Sequence, residues 1–271
     1  MSERPVGILD RVRPRRPPRA QIPRRMAMAM VALPGPALPG ADAVLGALTA
    51  GWDDLPAMGD VEDGGAMVGL RVHAGKAGWI TVPGPIPWSE LEGPCRAAWH
   101  WPDAEAALRG HAAHAVVHAG SNDLGGVELA LLVTKLAATL ARLGSASGVY
   151  WGSAGVVHAP AAFVEQAKGA TRDALPVPLW IGFHPVRGDD GAVTVYTTGM
   201  DAFGEMDVEA TSRGRRPSEL VGLVADFVHL LLATGAPFGD GDTLGAAGDE
   251  RIEVRHDASR RDGAPIYAFT C

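Results

Sequence analysis

The sequence predicts an α+β fold, and three observations predict it. Hairpin signals recur along the chain, with short β-branched or aromatic runs on either side of Gly-rich turns. Helical periodicity is concentrated in a few stretches rather than spread evenly. Strand and helix patterns alternate in a way that leaves adjacent strands free to pair antiparallel. Hydrophobic residues make up 47% of the 271 positions and charged residues 20%, enough for a substantial core. The 35 glycines and 21 prolines call for many turns.

In order, residues 26–33 (MAMAMVAL) read as a buried first strand, and 34–40 as a loop. Asp42 is a fair N-cap for a helix running through Val44, Leu45 and Leu48 to Trp52. AMVGLRVHA and GWITVPGPIP read as two strands separated by GKAG. Ser89 with Glu92 has capping-box spacing, interrupted soon after by Pro94. WPDAEAALRGH reads as a helix with Pro102 in its first turn, followed by AHAVVHA as a strand. SNDLGGVELALLVTKLAATLARLG is the strongest helix: Leu129, Leu132, Val133, Leu136, Leu140 and Leu143 form one stripe, with Asp123 as cap and Gly144 as stop. GVYWG is a short strand, and APAAFVEQAKGA a short helix opened by Pro160. VPLWIGFHPVRGDDGAVTVYTTGM is a hairpin turning at RGDDG. A second strong helix, RPSELVGLVADFVHLLLATG, turns Leu220, Val224, Phe227 and Leu231 inward and Asp226 and His229 outward. RIEVRH and PIYAFTC close the chain as strands.

Each half thus runs roughly strand, helix, hairpin, helix, strand. A single domain over 26–271, with mixed or antiparallel sheets and helices on one face, would accommodate two ferredoxin-like halves, 26–120 and 121–271, although no internal repeat accompanies them. A doubly wound parallel sheet is the alternative, ranked lower because the hairpins are clear.

Charge is unevenly placed. The net of −7 conceals eight arginines against Glu3 and Asp10 in the first 25 residues, a net of +6 that leaves −13 for the remaining 246. An acidic body disfavours a surface that tracks phosphates, so no nucleic-acid partner is expected. The Arg/Pro-rich segment 1–25 reads as a disordered tail: it has no apolar stretch that would make it a secretory signal. A basic arm for an acidic partner, a targeting address, or an extension ahead of a true start at Met26, Met28 or Met30 are its readings. No run approaches the ~18 uninterrupted apolar residues of a membrane helix. Cys95 and Cys271 form neither a disulfide framework nor a metal-ligand spacing, which suits a reducing, cytoplasmic setting.

The candidates for chemistry are few. His111, His114 and His118, with His100 nearby, would share one face of a helix and suit a metal. In a strand, His114 and His118 would share a face but stand ~13 Å apart at ~3.3 Å per residue, too far for one ion. The β-branched AVVHAG favours the strand. Gly152-Ser153-Ala154-Gly155 imitates a nucleophile elbow, but Trp151 stands where the first glycine belongs, and a Ser153/His158 pair requires the turn to fold back. GDGDTLGAAGDER imitates a calcium loop, with Leu244 at a ligand position and Arg251 where a glutamate should close it. It is no dinucleotide fingerprint either, and no cofactor is expected. Arg213, Arg215 and Arg216 read as ordinary loop charge.

Three blocks together carry a resemblance: GVYWGSAGVVHAPAAFVEQA (148–167), VPLWIGF followed by VYTTGMDAFGEMDVE (177–209), and DGDTLG (240–245), with HAAHAVV (111–117) before the long helix. In this order the chain resembles a bacterial family known as a domain of unknown function, DUF4261, over roughly residues 28–270. The resemblance implies no reaction, cofactor or catalytic residue. It marks VYWGSAG and YTTGMDAFG as the hallmarks of this chain and implies a soluble bacterial protein.

Physically, YTTGM brings the hydroxyls of Thr197 and Thr198 to one strand end, and VYWGS brings Tyr150, Trp151 and Ser153, with His158 beyond, to another. If those strands are neighbours, their ends make a concave aromatic and polar patch with no base, acid or metal for turnover. The expected function is therefore a non-enzymatic binding or protein-interaction module, of an accessory or immunity type, with an unidentified protein partner. A hydrolase-like or metal-dependent enzyme using the histidine cluster or the Ser153/His158 pair is the alternative, and a scaffold that dimerises through a sheet edge is a third reading.

Overall fold

The computed structural model describes residues 25–72, 75–245 and 251–271, so the Arg/Pro-rich tail, Arg25 aside, lies outside the described residues. Seven strands form the larger sheet. They are β1 (Arg25–Leu33), β2 (Met58–Asp63), β3 (Met67–Val72), β4 (Gly75–Val82), β5 (Ala113–Ser121), β6 (Gly148–Trp151) and β7 (Val156–His158), in the order β2-β3-β4-β5-β1-β6-β7. Every pairing in it is antiparallel. The smaller sheet takes β8 (Gly182–Arg187), β9 (Val193–Thr198), β10 (Asp207–Ser212), β13 (Arg255–Ala258) and β14 (Pro265–Thr270), in the order β13-β14-β10-β9-β8. There β10 and β14 run parallel, joined through a long helix, α7 (Pro217–Thr234), that packs on β8, β9 and β10. A short hairpin, β11 (Thr243–Gly245) with β12 (Arg251–Glu253), completes the strands.

The fold is α+β with mostly antiparallel strands. The ferredoxin-like division is not the one seen: a split βαβ unit needs two parallel strands, and β1 at the heart of the larger sheet is antiparallel to both neighbours. The larger sheet also reaches past residue 120, because β6 and β7 pair on the far side of β1.

Helix α4 (Gly126–Leu143) lies between the layers. Fourteen of its eighteen residues are buried, among them Thr134, Lys135 and Thr139. Burial on this scale makes it a core helix. It meets Ala29, Val31 and Leu33 of β1 and the inward alternation Ala113, Ala115, Val117, Ala119 of β5. It also packs against α1 (Ala41–Gly51) and α5 (Pro160–Lys168). On the opposite face of the sheet, α2 (Trp88–Ala97) and α3 (Ala104–Arg109) seal a smaller core of Ile86, Leu91, Leu108, Tyr150 and Val157. Helices therefore lie on both faces at the β1–β6–β7 end.

Several local expectations shift. β1 alternates instead of burying both faces, and Met26 and Met28 are 66% and 38% exposed. GKAG does not separate the two strands but lies inside β4; residues 73–74, between β3 and β4, lie outside the described residues. The helix caps are Gly40 and Gly125 rather than Asp42 and Asp123. Ser121 Oγ instead accepts the backbone N–H of Asp123 and of Leu124. Ser89 sits within α2, whose cap position is Pro87. VPLW is a helical turn, α6 (Val177–Trp180), not strand. α7 is long and apolar enough by composition to cross a membrane. Here it lays Leu220, Val224, Phe227 and Leu231 on the smaller sheet, with Glu219 and Asp226 outside.

The polar groups inside α4 each have a partner. Thr134 Oγ1 donates to Ala130 O and accepts the Trp180 indole N–H, both at 2.8 Å. Lys135, 2% exposed, places Nζ 2.5 Å from Asp54 Oδ1. Removing one partner of a buried pair leaves an uncompensated charge, whereas replacing the charge with apolar bulk is often neutral. Because the Asp54 carboxylate is half exposed, Asp54→Ala is expected to cost about 1–3 kcal/mol. Adding Lys135→Met should recover most of that loss, as read by urea denaturation of the single and double variants.

Candidate functional site

The turn Gly152–Gly155 leaves β6 and re-enters the sheet as β7. It is held from the other sheet: Thr198 Oγ1, at the end of β9, donates to Ala154 O at 2.7 Å. Gly199 follows at φ +100°, and a Cβ there would stand 2.7 Å from Ala154 Cβ. Only glycine allows both the left-handed backbone and this approach. The two hallmark segments thus meet where the sheets adjoin.

Their side chains do not build the patch that the sequence suggested. Trp151 is buried and stacks on Trp180, centroids 6.4 Å apart, while Tyr150 points into the smaller core beneath α2 and α3. A four-residue strand flanked on both faces by helices leaves neither ring at the surface. Thr197 is fully buried; its hydroxyl donates to Asp207 Oδ1 at 2.9 Å and accepts the Val208 N–H at 2.8 Å. Burial raises the Asp207 carboxyl above its ordinary range, and the Thr197 hydrogen bond opposes the shift. Ser153 sits on the exposed turn, while the His158 Nε2–H is given to Leu179 O at 3.2 Å, so the Ser153/His158 pair is not formed.

The three clustered histidines do not converge, and two of them fasten backbone groups of the α2 and α3 region. His111 Nε2 accepts the Ile86 N–H at 2.7 Å while its Nδ1–H is given to Leu108 O. His114 Nδ1–H donates to Gly84 O at 2.7 Å. His118 lies four residues further along β5, opposite Met28 and Gly78. Among the described residues, no three His, Cys, Asp or Glu side chains are placed to hold a metal ion. Burial, with Glu105 nearby, pushes the Cys95 thiol up to about 11, which disfavours its nucleophilic thiolate form.

What the two hallmark segments do position is a cleft of about 230 Å³ next to their junction. Residues after α2, the turn into β7, the start of β8 and the outer side of α7 line it, and most of that lining is apolar. No lysine, arginine, aspartate or glutamate is among the lining residues. Trp99 stands at its mouth, 54% exposed, with its indole N–H donated to Phe183 O at 2.9 Å. Its edge meets His100, and His100 lies 5.7 Å from His158, centroid to centroid. His100 Nε2–H donates to Val157 O at 3.1 Å. His184 stacks on Tyr196 and places Nε2 3.1 Å from Thr198 Oγ1. Gly182 makes room for that pair, since a Cβ there would strike both Thr198 Oγ1 and His184 Nε2.

Of the candidate binding residues read from the sequence, the cleft includes His158, with Thr198 behind it as the anchor of His184; His100, named beside the histidine cluster, and Gly155 of the turn line it too. Trp99 and His184 were missed. The signal in reach was the aromatic run Trp99-His100-Trp101 on a loop after a short helix. A second cavity, about 140 Å³, opens at the start of α4, but its carboxylates are engaged: Glu128 with Arg172, and Glu205 with Tyr267.

A family model described as Domain of unknown function (DUF4261) matches residues 196–266, from the end of β9 into β14. The matched stretch holds the YTTGMDAFG and DGDTLG blocks, so the resemblance read from the sequence holds there; the 148–167 block lies outside it. No curated protein and no solved structure matches the chain.

Two outcomes follow from this geometry. Burial, reinforced by His100, lowers the His158 pKa to about 3, against ~6.5 in an unfolded chain. Above that value the group is neutral in both states. Between it and pH 3 the unfolded chain takes up a proton that the folded chain refuses, so stability falls with pH by up to about 1.4 kcal/mol per unit. The stability advantage of wild type over His158→Gln is therefore expected to shrink steadily between pH 7 and pH 4 in paired urea titrations. Gly199→Ala, which forces a side chain into left-handed backbone and against Ala154, is expected to cost at least about 1–2 kcal/mol at neutral pH by the same method.

Proposed function

We propose that this protein is a non-enzymatic binding module that receives an apolar side chain of a protein partner in the cleft behind Trp99. The observation that carries this is the exposed indole face, fixed in direction by the bond from Trp99 Nε1 to Phe183 O, at the mouth of a hollow without charged lining. An aromatic anchor that is already ordered loses little entropy on binding. The cleft's imidazoles fit the same reading: each spends its Nε2–H on an oxygen of the fold, and no serine, cysteine or carboxylate lines the cleft beside them. An accessory or immunity-type role in a bacterial cytoplasm is the setting this implies. The unpaired thiols of Cys95 and Cys271 suit such a reducing compartment.

The test is selection of displayed peptides on the immobilised full chain, with Trp99→Ala as the comparison. Because Trp99 is largely exposed, the variant should keep its circular dichroism spectrum. Selected peptides are expected to carry a large apolar side chain and to bind Trp99→Ala roughly tenfold or more weakly. Selection of peptides that bind both proteins equally would remove the cleft as the contact site.

A further inference from the structure

The hydrogen bonds of the three cleft imidazoles fix which nitrogen carries the proton. A carbonyl oxygen can only accept, so the ring nitrogens of His100 and His158 that meet Val157 O and Leu179 O are both N–H at Nε2. The Thr198 hydroxyl has one hydrogen and gives it to Ala154 O, so it accepts from His184 Nε2, which is again the N–H. Burial holds the His158 ring neutral, and burial with the Arg261 charge lowers the proton affinity of His184. In a neutral ring the other nitrogen carries a lone pair. Among the described residues, none of the three Nδ1 atoms meets a donor. Among the described residues, no side-chain nitrogen or oxygen fully cut off from solvent lacks a partner. The unpartnered Nδ1 of buried His158 is therefore not fully cut off from solvent, and His158 is one of the residues lining the cleft.

The side chains lining the hollow are thus apolar apart from these imidazoles and the amide of Gln166 at its exposed rim, and the indole and imidazole N–H groups are already spent on oxygens of the fold. This pattern selects a ligand. An ammonium group would be buried without an anion, which is costly. A hydroxyl could donate, but its own lone pairs would find no free side-chain donor among the lining residues other than Gln166 at the rim. An indole N–H is donor-only on a large apolar body, and a cavity of about 230 Å³ has the size of one such group rather than of a drug-sized ligand.

Building on the binding-module reading, we propose that the cleft receives a tryptophan side chain of a partner protein, its ring against Trp99 and its N–H donated to an imidazole Nδ1 of His100, His158 or His184. The test compares two probes by titration against the full chain: N-acetyl-tryptophanamide, and its 3-benzothienylalanine counterpart, which replaces the N–H with sulfur. The tryptophan probe is expected to bind roughly fivefold more tightly, the usual worth of one hydrogen bond. That preference should fall when exposed His100 or half-buried His184 is replaced by Phe, with circular dichroism confirming the fold. Equal binding of both probes would overturn the donor–acceptor inference while leaving the apolar cleft standing. Failure of both probes to bind, or binding unaffected by Trp99→Ala, would overturn the cleft reading itself.

Discussion

The burial of α4 on every side is the constraint from which the rest of the structure follows. A helix with leucine, valine and alanine around its whole circumference cannot rest on one sheet and face water. The larger sheet covers one side through β1 and β5, and α1, α5 and the Trp180 turn close the others. Polar residues on such a helix must bring partners with them. Thr134 therefore draws in the Trp180 indole, and Lys135 draws in Asp54 from the loop after α1. Trp180 in turn stacks on Trp151, which fixes the end of β6 and hence the start of the Gly152–Gly155 turn. The position of the turn is a consequence of how α4 is wrapped.

From that turn the cleft inherits its chemistry. The Thr198 hydroxyl fastens the turn to β9 and also orients the His184 ring. His158, at the end of β7, is pointed by the Leu179 carbonyl of α6, which immediately precedes Trp180. The same packed layer that satisfies α4 thus sets two of the three imidazoles. Their fixed N–H bonds hold each ring in one tautomer and orientation, with Nδ1 left as the acceptor.

The sequence made legible what depends on long local periodicity. The stripes of α4 and α7, the hairpin at 187–191 and the alternation of β5 are properties of eight or more consecutive residues, and the structure has them. The juxtaposition of the VYWGSAG and YTTG segments was also within reach, since both end strands at glycine. Which side chains would face the resulting hollow was not. β6 and β7 are four and three residues long, and all seven residues are buried. Period-two alternation therefore says nothing about which face is open. Trp99 gains its role through a bond to a carbonyl 84 residues away, and His100 through one 57 residues away. Such contacts leave no mark on local pattern.

The family match bears on how this architecture divides its work. Residues 196–266 run from the end of β9 through β10 and α7 into β14, so they include Thr198, which anchors the turn, and Tyr196, on which His184 stacks. Of the residues lining the cleft, only Val221 and Ala225 on α7 fall inside the matched stretch. Trp99 and all three imidazoles come from the remainder of the chain. The family segment is thus the wall against which the hollow is built, and the chemistry that would choose a ligand is contributed by the residues before it. A chain carrying only the matched segment would keep the wall without the acceptors. Resemblance over 196–266 therefore speaks for a shared scaffold, and a shared ligand would require the Trp99–His100 loop and the His158 and His184 positions as well.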